Sequence, residues 1–133
     1  MDAEKFMQQV KVENNGFIRH NGIRIVSGDE EKSVLEADVT EKSCNVWGIV
    51  HGGLLYAMAD TAAGVLVRAK YERKNVTLDG SMSYLRSTAG AKKLTATARE
   101  VRAGHRVCFL EVDVTTETGV QVARAQINMY FVD

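Results

Sequence analysis

The sequence predicts an α+β domain in which an antiparallel sheet of about six strands packs on one long, buried helix. Three observations carry this. The stretch from Gly52 to about Tyr71 is rich in Leu, Ala and Met, holds no proline and is apolar nearly all round, so it reads as a helix without a solvent face. Two alternating segments precede it and four follow it. Four successive strands joined by short turns imply an antiparallel meander, and the helix must lie against it.

Taken in order, Ala3 to Val12 reads as a short helix with Phe6, Met7 and Val10 as its apolar edge, stopped by Asn14-Asn15-Gly16. His20-Asn21-Gly22 marks a turn. Ile23 to Ser27 and Val34 to Val39 are strands around a Gly28–Lys32 hairpin loop, with Leu35, Ala37 and Val39 alternating against Glu36 and Asp38. Thr40 to Val50 connects to the central helix, which is roughly 30 Å long and can cross a small sheet. Glu72-Arg73-Lys74-Asn75 is a charged exit. In Val76–Tyr84 the residues Val76, Leu78, Met82 and Tyr84 are candidates for the inner face. Leu94–Val101, Val107–Thr115 and Gln121–Val132 each alternate, with turns at Ala103-Gly104-His105 and Thr118-Gly119.

The 133 residues suit a single domain, 1–133. Lys+Arg and Asp+Glu number 17 each, a net charge of +0, which argues against a general nucleic-acid or membrane-surface binder. The longest apolar run, Leu54 to Val67, is too short to span a bilayer and contains Asp60. No basic-then-apolar leader pattern opens the chain. Cys44 and Cys108 form no Cys-x-x-Cys pair and read as buried free thiols, so a cytoplasmic location is expected. His20, His51 and His105 lack metal-ligand spacing, so no metal is expected.

Chemistry concentrates at the helix start. Asp60 is the only charged side chain of the helix before Arg68, and a carboxylate amid apolar residues is costly unless paired or needed. Gly52 and Gly53 leave backbone N–H groups unobstructed at the positive end of the helix dipole. An N–H donor and a carboxylate about two turns apart look like parts of an acyl-transfer site.

Asn45-x-x-Gly48-x-x-His51-Gly52-Gly53 with Asp60 seven residues on resembles the hotdog-fold acyl-CoA thioesterases of the phenylacetate-pathway and thioesterase superfamily member 2 types. The resemblance continues through Asp79-Gly80-Ser81-Met82-Ser83-Tyr84-Leu85-Arg86 and Val101-Arg102-Ala103-Gly104-His105-Arg106, and covers nearly the whole chain from about Val12. Ser87 departs from it, standing where proline is common in these families.

The resemblance implies a sheet wrapped around the central helix, in subunits that pair into homodimers or homotetramers with sites between them. Asp60 of one chain would then face Asn45 and Gly52 of the other. It implies hydrolysis of an aryl-, arylacetyl- or medium-chain acyl-CoA, with water as co-substrate and no cofactor. Asp60 would act as general base or as nucleophile. The Gly52 N–H would polarise the thioester carbonyl. Asn45 would position the carbonyl or the water, His51 would fix the helix start or act directly, and Thr77 would orient the water. Gly53, Arg86, Gly104, His105 and Arg106 would bind substrate, the cations taking the phosphates. Trp47, Leu55, Met58, Ala59 and Met82 are candidates for the acyl pocket wall or for core. The rival readings are a non-catalytic acyl-CoA-binding module and an enoyl-CoA hydratase or dehydratase.

Overall fold

A computed structural model describes residues 1–10 and 16–133. Helix α1 spans Ala3–Gln9, its first turn capped by Asp2, whose carboxylate accepts from Lys5 N–H at 2.8 Å. The expected stop at Asn14-Asn15 lies outside the described residues. A short α2, Gly16–His20, was not foreseen. Strands β1 (Ile23–Gly28) and β2 (Lys32–Asp38) follow, then a 3-10 turn at Glu41–Ser43 and the central helix α3, Gly52–Tyr71. Four strands complete the chain: β3 (Asn75–Tyr84), β4 (Lys93–Ala103), β5 (Val107–Thr116) and β6 (Gln121–Phe131).

The six strands form one antiparallel sheet in the order β1-β2-β4-β5-β6-β3. The expected four-strand meander therefore holds only for β4-β5-β6. The connection from β3 to β4, residues 85–92, is too long for a tight hairpin turn, so β3 pairs with β6 at the far edge instead.

Helix α3 packs on one face of the sheet and touches every strand. Leu55, Met58, Ala59, Ala62, Ala63, Leu66 and Val67 face Leu94, Ala96, Ala98, Leu110, Val112 and Ile127 in one buried core. The buried Ser33 hydroxyl donates to Ala62 C=O at 2.7 Å, tying β2 to the helix without leaving a polar group unpaired. The helix ends where Glu72 turns left-handed, at φ 53°, and donates its N–H to Arg68 C=O. Cys108 is buried as expected, whereas Cys44 is only half-buried, and both are free.

Strand β3 departs from the expected pattern. Tyr84 is on the helix side but 56% exposed at the strand end, and Val76 and Leu78 are 47% and 54% exposed rather than inward. The cause is a bulge between Thr77 and Asp79. It adds one residue to the strand, so the helix-facing positions step from Tyr84, Met82 and Gly80 to Thr77 instead of Leu78. As an edge strand, β3 also leaves one side of its backbone unpaired.

Candidate functional site

The loop before α3 is a closed turn. Cys44 and Val50 bridge, and Asn45 N–H donates to Ile49 C=O at 2.8 Å. Asn45 Oδ1 accepts from Trp47 N–H at 2.9 Å, and its C=O accepts from Gly48 N–H at 3.0 Å. Gly48 sits at φ 76°, which an L side chain rarely adopts. The tip residues Val46 and Trp47 are 91% and 81% exposed. Of the other residues considered for a pocket wall, Leu55, Met58 and Ala59 are core and Met82 is half-buried.

His51 is the N-cap of α3. Its Nδ1 accepts from Gly53 N–H at 2.8 Å. The Gly53 N–H is therefore occupied, contrary to the expectation that both glycine donors are free. The cap also explains the second glycine: a Cβ on Gly53 would lie 2.9 Å from that Nδ1. Gly52 is shaped by a different neighbour. Tyr84 donates its hydroxyl to Gly52 C=O at 3.0 Å, and a Cβ on Gly52 would meet the Tyr84 ring at 3.1 Å. Among the described residues the Gly52 N–H has no partner.

Two turns further along, Asp60 is half-buried and Thr77 Oγ1 donates to its Oδ1 at 2.5 Å. Between them, Tyr56 sits over Gly80, where a Cβ would fall 2.3 Å from its hydroxyl. Gly52, Tyr56 and Asp60 recur every four residues on one stripe of α3. They meet Tyr84, Gly80 and Thr77 of β3 in turn. Tyr56 and Tyr84 escaped the sequence reading as site residues, although the four-residue spacing of Tyr56 from both Gly52 and Asp60 was available to find the first.

Asp60 and Gly52 are not brought together within one chain. Eight helical residues separate them by about 12 Å. The substrate-binding cations are split likewise. Arg86 follows β3, where Nη1 donates to Gln121 C=O at 3.0 Å beside the start of β6. Gly104, His105 and Arg106 form the turn at the other end of the sheet, where Gly104 N–H donates to Val107 C=O at 2.7 Å. There Arg73 stacks on Phe131 at 3.9 Å, donates to His105 C=O at 3.3 Å, and pairs with Asp133. An open cavity of about 840 Å³ lies beside the helix start, lined by Arg19, His20, Lys42, Cys44, His51 and Leu54, and it includes neither Asp60 nor Thr77. Among the described residues no cluster of three His, Cys, Asp or Glu could hold a metal ion. Among the described residues no helix is long and apolar enough to cross a membrane.

Residues 48–123 match the family model of the thioesterase superfamily. The chain is 32% identical over 99 residues to 1,4-dihydroxy-2-naphthoyl-CoA hydrolase of Listeria monocytogenes, covering 73% of this chain and 80% of that one. It is 27% identical over 97 residues to acyl-coenzyme A thioesterase 13 of Mus musculus, covering 72% and 69%. The solved PaaI protein of the E. coli phenylacetic acid degradation operon superposes over 100% of this chain and 97% of its own. The TM-score is 0.91 at 24% identity, which establishes the hotdog fold.

Proposed function

This chain belongs to the thioesterase superfamily and is a thioester hydrolase, and on that premise we propose that it cleaves aryl-, arylacetyl- or medium-chain acyl-CoA to CoA and a free carboxylic acid. The observation that carries the reading is the Thr77–Asp60 pair at the open edge of the sheet, on the same helix stripe as the unpartnered Gly52 N–H.

One copy separates these groups, and a second copy reunites them. The matched positions are symmetric about Tyr56 on α3 and, once the extra residue of the bulge is counted, about Ser81 on β3. If two β3 strands pair antiparallel about that centre, Thr77 with Asp60 falls opposite the partner's Tyr84 and the partner's Gly52. An isologous dimer then builds two identical sites. The same pairing sets the Arg86 end of one sheet beside the partner's His105 and the partner's Arg106, so cations from both chains reach the CoA phosphates.

In such a site the Gly52 N–H donates to the thioester carbonyl oxygen and stabilises the oxyanion. Thr77 holds one oxygen of the Asp60 carboxylate, leaving Oδ2 for reaction. Asp60 either removes a proton from the attacking water or adds to the carbonyl carbon itself, giving a mixed anhydride that water opens. Either way the C–S bond breaks, the sulfur of CoA leaves with the bonding pair and is protonated, and the acyl group ends as a carboxylate. Asn45 Nδ2 can orient the carbonyl or the water, and His51 holds the helix start. Water and thioester suffice, with no metal or redox cofactor. The partner is a second copy, or a pair of pairs, and the balanced charge argues against a general nucleic-acid or membrane-surface binder.

A thiol-release assay over benzoyl-, phenylacetyl- and straight-chain acyl-CoAs tests the proposal. Free CoA is expected with at least one of these substrates and its loss in Asp60→Asn. Binding of all of them without release would favour the non-catalytic module.

A further inference from the structure

We infer that Tyr56 sets the length of acyl chain this protein accepts, its ring standing as a barrier between α3 and the edge strand β3; the inference rests on the thioesterase reading above.

Three observations carry it. Over the middle turns of α3 the half-buried residues are Tyr56, Ala57, Asp60, Thr61 and Gly64. Tyr56 is the only large side chain among them. Ala57, Thr61 and Gly64 are short, so the Tyr56 ring stands out beyond its neighbours on the helix.

Second, Tyr56 lies one helical turn from Gly52 and one from Asp60 on the same stripe. In the paired arrangement the thioester carbonyl sits between Asp60 and the partner's Gly52, and Tyr56 falls midway. An acyl chain running inward along the helix from that carbonyl meets the Tyr56 ring within about one turn, roughly 6 Å. The ring is seated against β3, because Gly80 has no side chain to displace it.

Third, the hydroxyl is not what holds the ring. Tyr84 and Tyr71 each donate to an acceptor in the fold, Gly52 C=O and the Glu100 carboxylate. Among the described residues Tyr56 has no such acceptor. Burial first, then the neighbouring Asp60, Asp79 and Tyr84, push its phenol above the ordinary tyrosine range, so it stays neutral and fills space without adding charge beside Asp60. A ring placed by shape alone determines what fits beside it.

The test is the chain-length profile of kcat/KM on straight-chain acyl-CoAs from butanoyl to hexadecanoyl, for the wild type, Tyr56→Ala, Tyr56→Leu and Tyr56→Phe. The ratio of long-chain to short-chain kcat/KM should rise at least about tenfold in Tyr56→Ala, rise less in Tyr56→Leu, and stay within about twofold in Tyr56→Phe, since hydrophobic pockets discriminate single methylenes by about tenfold or more. Affinities for alkyl-CoA thioethers of the same lengths, which cannot be hydrolysed, should follow the same order. An unchanged ratio in folded Tyr56→Ala and Tyr56→Leu, or an equal loss at every length, would make Tyr56 a packing residue and overturn the inference. If the thioether series follows the side-chain order while no acyl-CoA is cleaved by the wild type, the hydrolase reading fails and the role of Tyr56 stands.

Discussion

Thr77 Oγ1 donates to Asp60 Oδ1 at 2.5 Å, and it reaches that carboxylate because of a β-bulge. Without the extra residue, the apolar Leu78 would face the acid. The bulge thus re-aims one strand position and supplies a hydroxyl where a carboxylate needs a fixed orientation. Asp60→Asn keeps the shape and the hydrogen bond but removes the charge, so kcat should fall by a factor on the order of 100 to 10,000. Thr77→Ala should cost roughly tenfold or more, the usual weight of a hydrogen bond to a charged group, and Thr77→Ser should restore most of it. Steady-state kinetics on whichever acyl-CoA turns over best reads both. Near wild-type kcat in Asp60→Asn would exclude Asp60 from the chemistry.

Gly52 permits deletion of a backbone donor by proline, provided that Gly52→Ala, which brings the same Cβ 3.1 Å from the Tyr84 ring but keeps the N–H, is measured beside it. It is the first helical residue after the His51 cap, a place where proline is well tolerated and where the N–H is spare. Gly52→Pro should keep the helix and lower kcat by on the order of 100-fold to 1,000-fold if that N–H serves as the oxyanion donor. Crossing it with Asp60→Asn then locates the site. When the two inactive proteins are mixed and their subunits exchanged, a mixed dimer holds one site with both defects and one with neither. Activity should return to about a quarter of wild type in a statistical mixture. No recovery after verified exchange would place both groups in the same chain's site and remove the dimer from the mechanism.

Most elements and the local frame of the candidate site were legible because they are local. Composition alone bounded α3 at Gly52–Tyr71, and the Asn45-to-Asp60 spacing brought its own geometry as a turn running into a helix. What lay beyond reach was non-local. The placement of β3 beside β6 depends on where an eight-residue connection crosses, and the exposure of Leu78 on a bulge that alternation cannot reveal. Helix α2 spans five residues, too few for periodicity to register. Gly52 and Gly53 read as one motif, yet different neighbours require them: the Tyr84 ring for the first and the His51 imidazole for the second.

His51 has a stability role that can be separated from any part in turnover. Its ring accepts one of the orphan N–H groups at the start of the longest helix. His51→Ala should cost about 1 kcal/mol, a fall in Tm of a few degrees, and His51→Asn or His51→Asp, both good N-caps, should recover most of it. Thermal melts of the three variants decide the point. If His51→Asn melts like wild type and still turns over, the imidazole is a cap. If it melts like wild type but turns over far more slowly, His51 takes a direct part.

The two cysteines should behave oppositely towards a thiol reagent, and one of them should leave a mark on alkaline stability. Cys108 is fully buried on β5, its Sγ 3.6 Å from Glu100 Oε1. Burial first, and then the Glu100 charge, push its thiol from an ordinary 9.0 up to about 12. Cys44 is half-buried in the loop before α3, where its Sγ donates to Thr40 C=O at 3.4 Å. Iodoacetamide at pH 8 should label Cys44 in the native protein and reach Cys108 only after denaturation, as peptide mass mapping would read. The linkage follows from the direction of the shift. Below about pH 9 the thiol is neutral folded and unfolded, and its contribution is fully present. Between about 9 and 12 the unfolded chain ionises while the folded chain holds the proton, so that contribution drains away as pH rises. Cys108→Ala removes the titrating group, so its Tm should fall less than that of wild type between pH 8 and pH 10.5, even though it starts lower for the lost packing. Parallel melting curves for the two proteins over that interval would show that Cys108 ionises as readily in the fold as out of it.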